Sequence, residues 1–468
     1  MTLIKSISGI RGTIGGKSGD ALTPLDIVKF AAAYGAWLKT KTSENLRVVI
    51  GRDARISGKM VSDLVNATLI GMGFDVIDLG LSTTPTVEIA VPLENAAGGI
   101  ILTASHNPIQ WNALKLLNHK GEFISAQDGE EILQLVESED FDFAEVKQLG
   151  TYTVDDTYLQ KHIDMILALP LVDKEAIENA DFSIVVDPVN SSGGIVVPML
   201  LEALGVKKVK VIHGEPTGLF GHNPEPIPEN LRDICSELRK GDFNMGIVVD
   251  PDVDRLALIC EDGEPFGEEY TLVAVADYIL SNTKQEGLTT VSNLSSTMAL
   301  KDVTEKFGGA YHAAAVGEVN VVQKMKDVGA IIGGEGNGGI IYPELHYGRD
   351  ALVGIALFLS HLAKFGKTIG FLRKKYPNYY IAKKKIELNS KINVDDVLKG
   401  IQSKYERYPL NTEDGVKILF DKEWVHLRKS NTEPIIRIYA ESEFETKAEN
   451  LADKIIMDIK EVIIQLDK

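Results

Sequence analysis

A serine-containing loop follows an apolar run in the first quarter of the chain. The run at 98–102 has the composition of a buried strand, and the sequence TASHNP follows it at 103–108. This order places the Ser105 hydroxyl at the carboxyl end of a strand, where open α/β sheets bind ligands. The alternative role for Ser105 is to cap a following helix. The adjacent His106 and the downstream Lys115 favour a ligand-binding role.

Three carboxylates at alternating positions follow a second apolar strand. They belong to Asp250, Asp252 and Asp254, directly after the run MGIVV. Alternation lets their oxygens converge on one hard cation, and three anions at a strand end would repel one another without a metal. A calcium loop does not fit, because Arg255 stands at the sixth position, where the sharp turn requires glycine. A solvated acidic turn is the alternative.

A glycine-rich loop, GGEGNGG at 333–339, contains the spacing G-x-G-x-x-G. A dinucleotide site would require a helix to begin there, so that its N-terminus could meet the pyrophosphate. The extended sequence IIYPE follows instead. We therefore expect Glu335 and Asn337, which lie between glycines, to hydrogen-bond the hydroxyls of a sugar.

A fourth loop, at 427–437, is rich in donors that suit the oxygens of a phosphate monoester. These donors belong to Arg428, Ser430, Asn431, Thr432 and Arg437. A plain β-hairpin turn is the alternative. Five further cations could concentrate positive potential in a cleft of this acidic chain, although each could equally form a surface ion pair. They are Arg11, Arg52, Arg55, Lys115 and Arg255.

The elements that would position these loops recur three times as a strand, a small polar loop, a helix, a glycine stop and a second strand. The copies begin at Arg47, Phe182 and Leu288. Strands joined by one helix are parallel and connected by right-handed crossovers, so each copy predicts an α/β domain. From about Tyr379, four strand-like runs and two helices predict a small α+β domain.

The predicted fold is therefore α/β, with three related domains that have mixed, mainly parallel sheets and a C-terminal α+β domain. We place the domains at 1–149, 150–256, 257–376 and 377–468. In that order they would carry the serine loop, the acidic loop, the glycine-rich loop and the donor-rich loop. A chain of 468 residues has room for three or four domains of roughly 150 residues.

Charge and composition exclude several classes of protein. The chain has 49 Lys and Arg residues against 67 Asp and Glu residues, a formal charge of −18, which opposes binding to nucleic acid or anionic lipid. A small molecule is the favoured partner. Two cysteines cannot build a disulfide framework, and the N-terminus has no signal-like apolar stretch, so we expect a cytoplasmic protein. The sequence does not decide between a monomer and a homodimer.

Taken together, the four loops resemble those of the α-D-phosphohexomutase family, over essentially the whole chain. TASHNP at 103–108 resembles the family's phosphoserine loop, and DPDVDR at 250–255 resembles its magnesium loop. GEGNGG at 334–339 resembles its sugar-specificity loop, and RKSNTEP at 428–434 its phosphate loop. The resemblance implies four domains arranged around a central cleft.

The resemblance also implies a mechanism in which phospho-Ser105 donates its phosphoryl group to a free hydroxyl of a sugar monophosphate. The hexose 1,6-bisphosphate would turn over and return its other phosphoryl group to Ser105. Mg²⁺ would be held by the three acids and a phosphoserine oxygen. Lys115 is the expected general acid or base, with a pKa lowered by neighbouring cations. Arg255 would orient the phosphoserine, Arg11 enters the site through the family-like motif SGIRG, and His106 completes the catalytic set.

The same resemblance favours an amino sugar as the substrate. The GEGNGG form is similar to that of family members from archaea and some anaerobic bacteria that act on glucosamine phosphates. We therefore expect interconversion of glucosamine 6-phosphate and glucosamine 1-phosphate, with Glu318 able to pair with the substrate ammonium group. Asn337, Gly339 and Asn431 depart from residues that are frequent in the family. Phosphomannomutase/phosphoglucomutase activity is the alternative.

Two other functions use parts of the same residue set. A metal-dependent phosphatase of haloacid dehalogenase type would use Asp250 as its nucleophile and would give Ser105 no role. A sugar-phosphate sensor would use the loops for binding without catalysis. Replacement of Ser105 by Ala separates a mutase from the phosphatase, since only the mutase depends on that hydroxyl.

Overall fold

The computed structural model describes residues 2–6, 9–42, 45–285, 287–389, 392–429 and 435–466. The chain divides into two compact units. Unit 1 comprises Met1–Asn282 and Asn337–Arg373, and unit 2 comprises Thr283–Gly336 and Lys374–Lys468. The chain therefore passes between the units three times, once within the glycine-rich loop.

The first part of unit 1 is a seven-stranded mixed sheet with order β1-β2-β6-β5-β3-β4-β7. Its elements are β1 (Ile4–Ser6), β2 (Gly9–Thr13), α1 (Pro24–Lys41), β3 (Arg47–Arg52), α2 (Gly58–Gly71), β4 (Asp75–Leu81), α3 (Thr84–Leu93), β5 (Gly98–Leu102), β6 (Trp111–Leu117), α4 (Ala126–Ser138) and β7 (Tyr152–Val154). β3 pairs in parallel with β4 and β5, whereas β6 is antiparallel to β5 and β2. The loops that follow β3 and β5 therefore leave the same edge of the sheet.

The second part of unit 1 is a four-stranded sheet with order β11-β10-β8-β9. Its elements are α5 (Tyr158–Leu167), α6 (Lys174–Asn179), β8 (Ser183–Asp187), α7 (Gly193–Ala203), β9 (Lys208–Val211), α8 (Arg232–Leu238), β10 (Met245–Val249), β11 (Leu256–Ile259) and α9 (Glu268–Asn282). β8 is parallel to both β9 and β10. The residues after these three strands share one edge, which is the ligand-binding edge of open α/β sheets.

Unit 2 begins with a parallel arrangement in which β12 lies between β13 and β14. The elements are β12 (Thr289–Asn293), α10 (Ala299–Lys306), β13 (Ala310–Ala314), α11 (Glu318–Val328) and β14 (Ile332–Glu335). The chain then returns to unit 1 as β15 (Gly339–Ile341), α12 (Ala351–Phe365) and α13 (Ile369–Arg373). There, α12 packs against α9.

The C-terminal part of unit 2 is a five-stranded antiparallel sheet with order β16-β20-β19-β18-β17 and two helices. Its elements are β16 (Tyr380–Glu387), α14 (Val394–Lys404), β17 (Leu410–Asn411), β18 (Val416–Leu419), β19 (Trp424–Lys429), β20 (Ile435–Ser442) and α15 (Glu445–Leu466). Its core is formed by buried aliphatic side chains of the sheet and of both helices.

The predicted fold class is confirmed. All three repeats form a parallel pair joined by one helix, namely β3-α2-β4, β8-α7-β9 and β12-α10-β13. The C-terminal segment is α+β, and the sequence analysis missed only its two-residue strand β17. The domain boundaries proposed from the sequence stay predictions. Within the described ranges, no helix combines the length and the apolar character needed to span a bilayer.

Candidate active site

The serine loop leaves β5 and is followed by β6 rather than by a helix, so the helix-capping alternative for Ser105 is wrong. Ser105 has a φ of 47°, in the left-handed region that residues with a Cβ rarely adopt. Its backbone N–H donates to Thr103 Oγ1 at 2.9 Å, and that hydroxyl donates to Asp53 Oδ2 at 2.6 Å. The strained turn is therefore held by the loop that follows the neighbouring strand β3.

Arg55 fixes the rest of the serine loop. Its buried guanidinium pairs with Asp53 Oδ2 at 3.0 Å. It also donates to the backbone carbonyls of the loop residues Ser105, Asn107 and Pro108 at 2.5, 2.7 and 2.8 Å, and to that of Trp111, the first residue of β6, at 2.9 Å. The expectation that Arg55 supplies charge to a cleft is wrong, because its donors are used inside the fold. Arg52 donates to the backbone carbonyl of Asp53 and does not line the cavity described below.

The acidic loop turns its three carboxylates toward one point. Their oxygens lie within 4.8 Å of one another, and all three side chains are buried. Asp250 Oδ1 accepts from the backbone N–H groups of Asp254 and Arg255 at 3.2 and 3.1 Å. Val253 has a φ of 61°, which is strained for a β-branched residue. The loop therefore has the tight turn that convergence of alternating side chains requires.

Two cations face these carboxylates. Lys115 Nζ lies 2.6 Å from Asp252 Oδ2 and 3.5 Å from Asp254 Oδ2. Arg349 Nη2 lies 2.6 Å from Asp254 Oδ2. Among the residues that the structure describes, no hydrogen-bond partner reaches the buried Asp252 Oδ1 or Asp254 Oδ1. Buried carboxylate oxygens without partners are costly, and they are the ligands that Mg²⁺ prefers. The donor set therefore fits a hard divalent cation.

Burial and the neighbouring charges shift the pKa values of these groups in different directions. Burial, with repulsion from Asp254 and Asp252, raises the pKa of Asp250 well above its usual range. Burial also pushes the pKa of Asp252 upward, but the Lys115 ammonium more than offsets this and holds that pKa below its usual range. Burial lowers the pKa of Lys115, whereas Asp252 and Asp254 raise it, and the net shift is upward. The expected lowering of the Lys115 pKa is therefore wrong for this arrangement, because its closest charged neighbours are acids.

Asp250, Asp252 and Asp254 are named here the acid cluster. The hydroxyl of Ser105 borders it, since Ser105 Oγ donates to Asp250 Oδ2 at 2.7 Å. A cavity opens beside it, and its polar lining includes Arg11, Ser105, His106, Lys115, Arg255 and Arg349. Arg11 and Lys115 share one face of the sheet, because Arg11 on β2 pairs with Ala113 on β6. The structure thus brings together the serine, the lysine and two arginines of the predicted set.

Burial and the cations around the cavity keep the His106 imidazole neutral. Burial, then Arg255 and Arg349, lower the pKa of His106 to about 2. His106 Nδ1 lies 3.4 Å from Ser105 Oγ. Burial and Arg255 also lower the pKa of Arg11. A bound anion would relieve this repulsion among cations, so the cavity is suited to a phosphate group.

The glycine-rich loop contributes to both units. In unit 1, Asn337 Oδ1 accepts from the backbone N–H of Gly339 at 3.2 Å. The strand β15 follows the loop, so the helix that a dinucleotide site requires does not begin there. In unit 2, the buried Glu335 Oε1 accepts from Asn293 Nδ2 at 2.9 Å and from Gly317 N at 3.2 Å. Glu318, the buried first residue of α11, follows Gly317. Gly317 of unit 2 therefore has two glutamates as neighbours, Glu335 through a hydrogen bond and Glu318 through the chain.

The donor-rich loop presents a row of cations in unit 2. Arg428 on β19 is opposite Arg437 on β20, and Lys385 on β16 is also opposite Arg437. Cross-strand partners share a face, where like charges destabilise one another unless an anion neutralises them. Arg428 Nε pairs with Asp414 Oδ2 at 2.7 Å. Three further residues of the predicted set lie outside the described residues, namely Ser430, Asn431 and Thr432.

Sequence reasoning missed two residues of the acid cluster's surroundings. Arg349 belongs to the tetrapeptide GRDA at 348–351, which repeats the GRDA at 51–54, and this repeat was a usable signal. Thr84 Oγ1 donates to Asp252 Oδ2 at 2.5 Å from the first turn of α3. Thr84 lies in the segment STTPT at 82–86, and no local pattern marks it as a partner of the acidic loop.

The four domains of one family match successive parts of the chain. Phosphoglucomutase/phosphomannomutase α/β/α domain I matches residues 3–143, domain II residues 160–263 and domain III residues 267–380. The C-terminal domain of the same family matches residues 383–457. The order of the matches is the order of the four loops described above.

Two full-length relatives carry different names. The chain is 36% identical over 442 residues to a phosphoglucomutase/phosphomannomutase of Thermococcus kodakarensis, covering 93% of this chain and 95% of the relative. It is 32% identical over 452 residues to a probable phosphoglucosamine mutase of Methanopyrus kandleri, covering 96% of each chain. Both relatives span nearly the whole sequence.

Solved structures share the fold. A phosphoglucomutase/phosphomannomutase family protein of Burkholderia thailandensis aligns with a TM-score of 0.83 and 24% identity, covering 98% of this chain and 97% of that chain. An Aspergillus fumigatus N-acetylphosphoglucosamine mutase, solved with GlcNAc-6P and magnesium, aligns with a TM-score of 0.59 and 16% identity, covering 93% and 97%. The four domain matches and the full-length relatives show that the chain belongs to the phosphoglucomutase/phosphomannomutase family of phosphohexomutase enzymes.

Proposed function

We propose that this phosphohexomutase carries its phosphoryl group on Ser105 and interconverts hexose 6-phosphate and hexose 1-phosphate, with glucosamine phosphates as its substrates. The observation that carries the proposal is the 2.7 Å hydrogen bond from Ser105 Oγ to Asp250 Oδ2 at the rim of a cation-lined cavity. A hydroxyl so placed is next to a metal-binding acid cluster and open to a phosphate. These are the two requirements of a residue that accepts and returns a phosphoryl group.

Asp250, Asp252 and Asp254 would hold Mg²⁺ together with an oxygen of the phosphorylated Ser105. When bound, the ion would offset negative charge on the transferring phosphoryl group. The buried Asp252 Oδ1 and Asp254 Oδ1, for which the described part of the chain supplies no hydrogen-bond donor, support this assignment.

Lys115 would move the proton during transfer. A hydroxyl of the sugar attacks the phosphorus of phospho-Ser105, so that a new O–P bond forms as the P–Oγ bond breaks. The Lys115 ammonium would give a proton to Oγ and would take one from the attacking hydroxyl, which restores its charge. The raised pKa of Lys115 supports the ammonium as its starting form. In the return step, the bisphosphate donates its other phosphoryl group to Ser105.

The cavity cations would bind and orient the phosphoryl group. Arg11 and Arg255 would contact its oxygens, and the neutral His106 would act as a hydrogen-bonding group beside Ser105 Oγ. In unit 2, the row formed by Arg428 and Arg437 would hold the phosphate that is not reacting, together with the donor-rich loop residues Ser430, Asn431 and Thr432. Glu335 and Asn337 would hydrogen-bond the sugar hydroxyls.

An amino sugar is favoured by the two carboxyl groups of unit 2. Glu335 and Glu318 flank Gly317, and either could pair with an ammonium group. The name of the Methanopyrus relative supports this substrate class. The name of the Thermococcus relative supports glucose and mannose phosphates, which form the second candidate substrate class. A phosphatase with Asp250 as its nucleophile is disfavoured, because it would give no role to Ser105, whose Oγ donates to Asp250 Oδ2 beside the cation-lined cavity.

The proposal is tested by comparing kcat/KM for glucosamine, glucose and mannose phosphates, with Mg²⁺ and a trace of the matching bisphosphate. The highest value is expected for glucosamine phosphate. Glu318→Gln should lower this value while leaving glucose phosphate turnover nearly unchanged. A preference for glucose or mannose phosphate would replace the substrate assignment, and retained isomerisation by Ser105→Ala would overturn the phosphoserine assignment.

A further inference from the structure

A second group of metal-ligand side chains lies in unit 1, outside the cavity of Ser105. It consists of Asp187, His213 and His222, named here the Asp187 cluster, whose ligand atoms lie within 4.8 Å of one another. Asp187 Oδ2 is 3.0 Å from His213 Nδ1 and 3.2 Å from His222 Nε2. The Asp187 side chain is 1% exposed, and the histidine side chains are 22% and 13% exposed. The cluster is therefore largely buried but still accessible to an ion from solvent.

The sheet topology brings these residues to one edge. Asp187 ends β8, and His213 follows the parallel strand β9. The carboxyl ends of parallel strands form the ligand-binding edge of an open α/β sheet. His222 reaches the same edge from the loop at 213–225. The Asp187 cluster therefore lies at the carboxyl ends of β8 and β9, and the acid cluster lies at the carboxyl end of β10 in the same sheet.

The far nitrogen of each imidazole ring also faces an acceptor. His222 Nδ1 lies 2.7 Å from Asn223 O, and His213 Nε2 lies 3.4 Å from Asp233 Oδ2. Metal-ligating histidines show this arrangement, because a donor N–H on the far side fixes the tautomer and leaves the near nitrogen as a lone pair. Here both near nitrogens point at a single carboxylate oxygen. When the far nitrogens carry the N–H protons, the near nitrogens present lone pairs to that oxygen, and a metal ion between them satisfies all three groups. A proton on a near nitrogen, which would make a hydrogen bond to Asp187, is the alternative.

The backbone around the cluster is strained. Val189, Asn190 and His213 have φ values of 51°, 55° and 47°, and such values are rare for residues with a Cβ, above all for valine. Asn190 N donates to His213 O at 2.6 Å, and Val189 N donates to Asp187 Oδ1 at 3.1 Å. Clustered strain of this kind accompanies functional sites more often than ordinary loops.

We propose that the Asp187 cluster is a binding site for a transition-metal ion of the Zn²⁺ class, with Asp187, His213 and His222 as its protein ligands. Two imidazoles and one carboxylate suit Zn²⁺, Co²⁺ or Ni²⁺, whereas Mg²⁺ prefers oxygen ligands alone. Solvent would complete the coordination. The site is chemically distinct from the acid cluster, which offers only carboxylate oxygens.

The ion would hold the loop at 213–225 against the active site. Within that loop, the Phe220 ring lies 5.1 Å from the Arg55 guanidinium, which fixes the serine loop. Glu225 Oε1 lies 3.7 Å from Arg255 Nη1, in the lining of the Ser105 cavity. The role of the metal is therefore to position a loop, not to take part in phosphoryl transfer.

The test uses metal-depleted full-length protein in excess Mg²⁺, which competes for the acid cluster. Zn²⁺ is titrated by calorimetry, and the melting temperature is measured with and without Zn²⁺. We expect one equivalent to bind with a rise in melting temperature, since an ion that binds the native state stabilises it. His222→Gln and His213→Asn should each weaken Zn²⁺ binding by at least about tenfold and abolish the rise. The exposed His119 supplies the matched control, His119→Gln.

Two results would overturn the proposal. One is Zn²⁺ affinity in His222→Gln and His213→Asn equal to that of His119→Gln. The other is Zn²⁺ binding that disappears in Asp252→Asn but persists in the histidine variants, which would place the ion in the acid cluster. Melting curves in chelator establish that each variant folds. If one histidine variant is unfolded, ¹⁵N shifts of the imidazoles in wild-type protein decide the matter, because Zn²⁺ must move the His213 and His222 signals and not that of His119.

Discussion

Lys115 Nζ lies 2.6 Å from Asp252 Oδ2, so the proposed proton carrier is paired with one of the proposed magnesium ligands. The two residues belong to different sheets of unit 1, on β6 and after β10. The ion pair raises the pKa of Lys115 and lowers that of Asp252. Lys115 therefore begins as an ammonium, and its proton transfer depends on the charge state of the acid cluster.

Replacement of Lys115 by Met should reduce kcat by about 10²- to 10⁴-fold, because general acid–base catalysis contributes that much, and should change KM little. Steady-state kinetics with saturating bisphosphate measures both constants. Lys120→Met, at an exposed position nearby, is the control and should behave as wild type. Equal losses in kcat and in substrate affinity would make Lys115 a phosphate contact instead.

The acid cluster should make the stability of the metal-free protein depend on pH. The folded-state pKa of Asp250 is raised, so the stability from its protonated form is full below the unfolded pKa, near 4, and is lost as pH rises through the folded value. In EDTA, the melting temperature should therefore fall with rising pH more steeply for wild type than for Asp250→Asn. Mg²⁺ should flatten the wild-type curve. Parallel curves for wild type, Asp250→Asn and the exposed control Asp156→Asn would refute this account.

Replacement of Arg428 by Ala should raise KM about 10- to 100-fold, the cost of losing a hydrogen bond to a charged group, with kcat nearly unchanged. The physical reason is that Arg428 is proposed to hold the phosphate that is not reacting. Arg407→Ala, at an exposed position of the same domain, should leave KM unchanged. A fall in kcat alone would remove Arg428 from the phosphate grip.

Glu441 should limit the stability of unit 2 at alkaline pH. Its Oε2 accepts from Trp424 Nε1 at 2.5 Å and from Met298 N at 2.9 Å. Burial is the main cause that raises its pKa to about 7. The stability from protonated Glu441 is present below the pKa of an unfolded glutamate and is lost as pH rises through about 7.

Glu441→Gln keeps an acceptor for both donors without the charge. It should stabilise the protein at pH 8, by an amount of the order of 3 kcal/mol, and should have no effect near pH 4. Denaturation at the two pH values measures the difference. A loss of stability at pH 8 would mean that the charged carboxylate is required by its neighbours.

The positions of the serine loop and the acidic loop at strand ends were predictable, because a local sequence pattern marks each of them. Ser105 and Asp250 both follow an uninterrupted apolar strand, and polar residues at the end of such a strand reach the ligand-binding edge of a sheet. The three strand-helix-strand repeats were predictable for the same reason, since hydrophobic periodicity is a local property.

Contacts between distant parts of the chain were not predictable in this way. Residue type cannot distinguish a buried arginine from a cleft arginine, and Arg55 is buried because Asp53 and four backbone carbonyls satisfy it. The pKa of Lys115 is raised rather than lowered as expected, because the sequence shows which charged residues could be neighbours of the lysine but not how close each one lies. Arg349 pairs with Asp254 within unit 1, although the unit 2 segment Thr283–Gly336 separates these two residues in the sequence.

The most direct test of the central claim is a rapid-quench chase of the phosphorylated enzyme. Protein labelled by radioactive hexose 1,6-bisphosphate is mixed with unlabelled glucosamine 6-phosphate and Mg²⁺. Our account predicts that the label lies on Ser105, that it moves to the bisphosphosugar at least as fast as kcat, and that Ser105→Ala takes up none. A hydroxylamine-sensitive label on Asp250, or transfer slower than turnover, would contradict it.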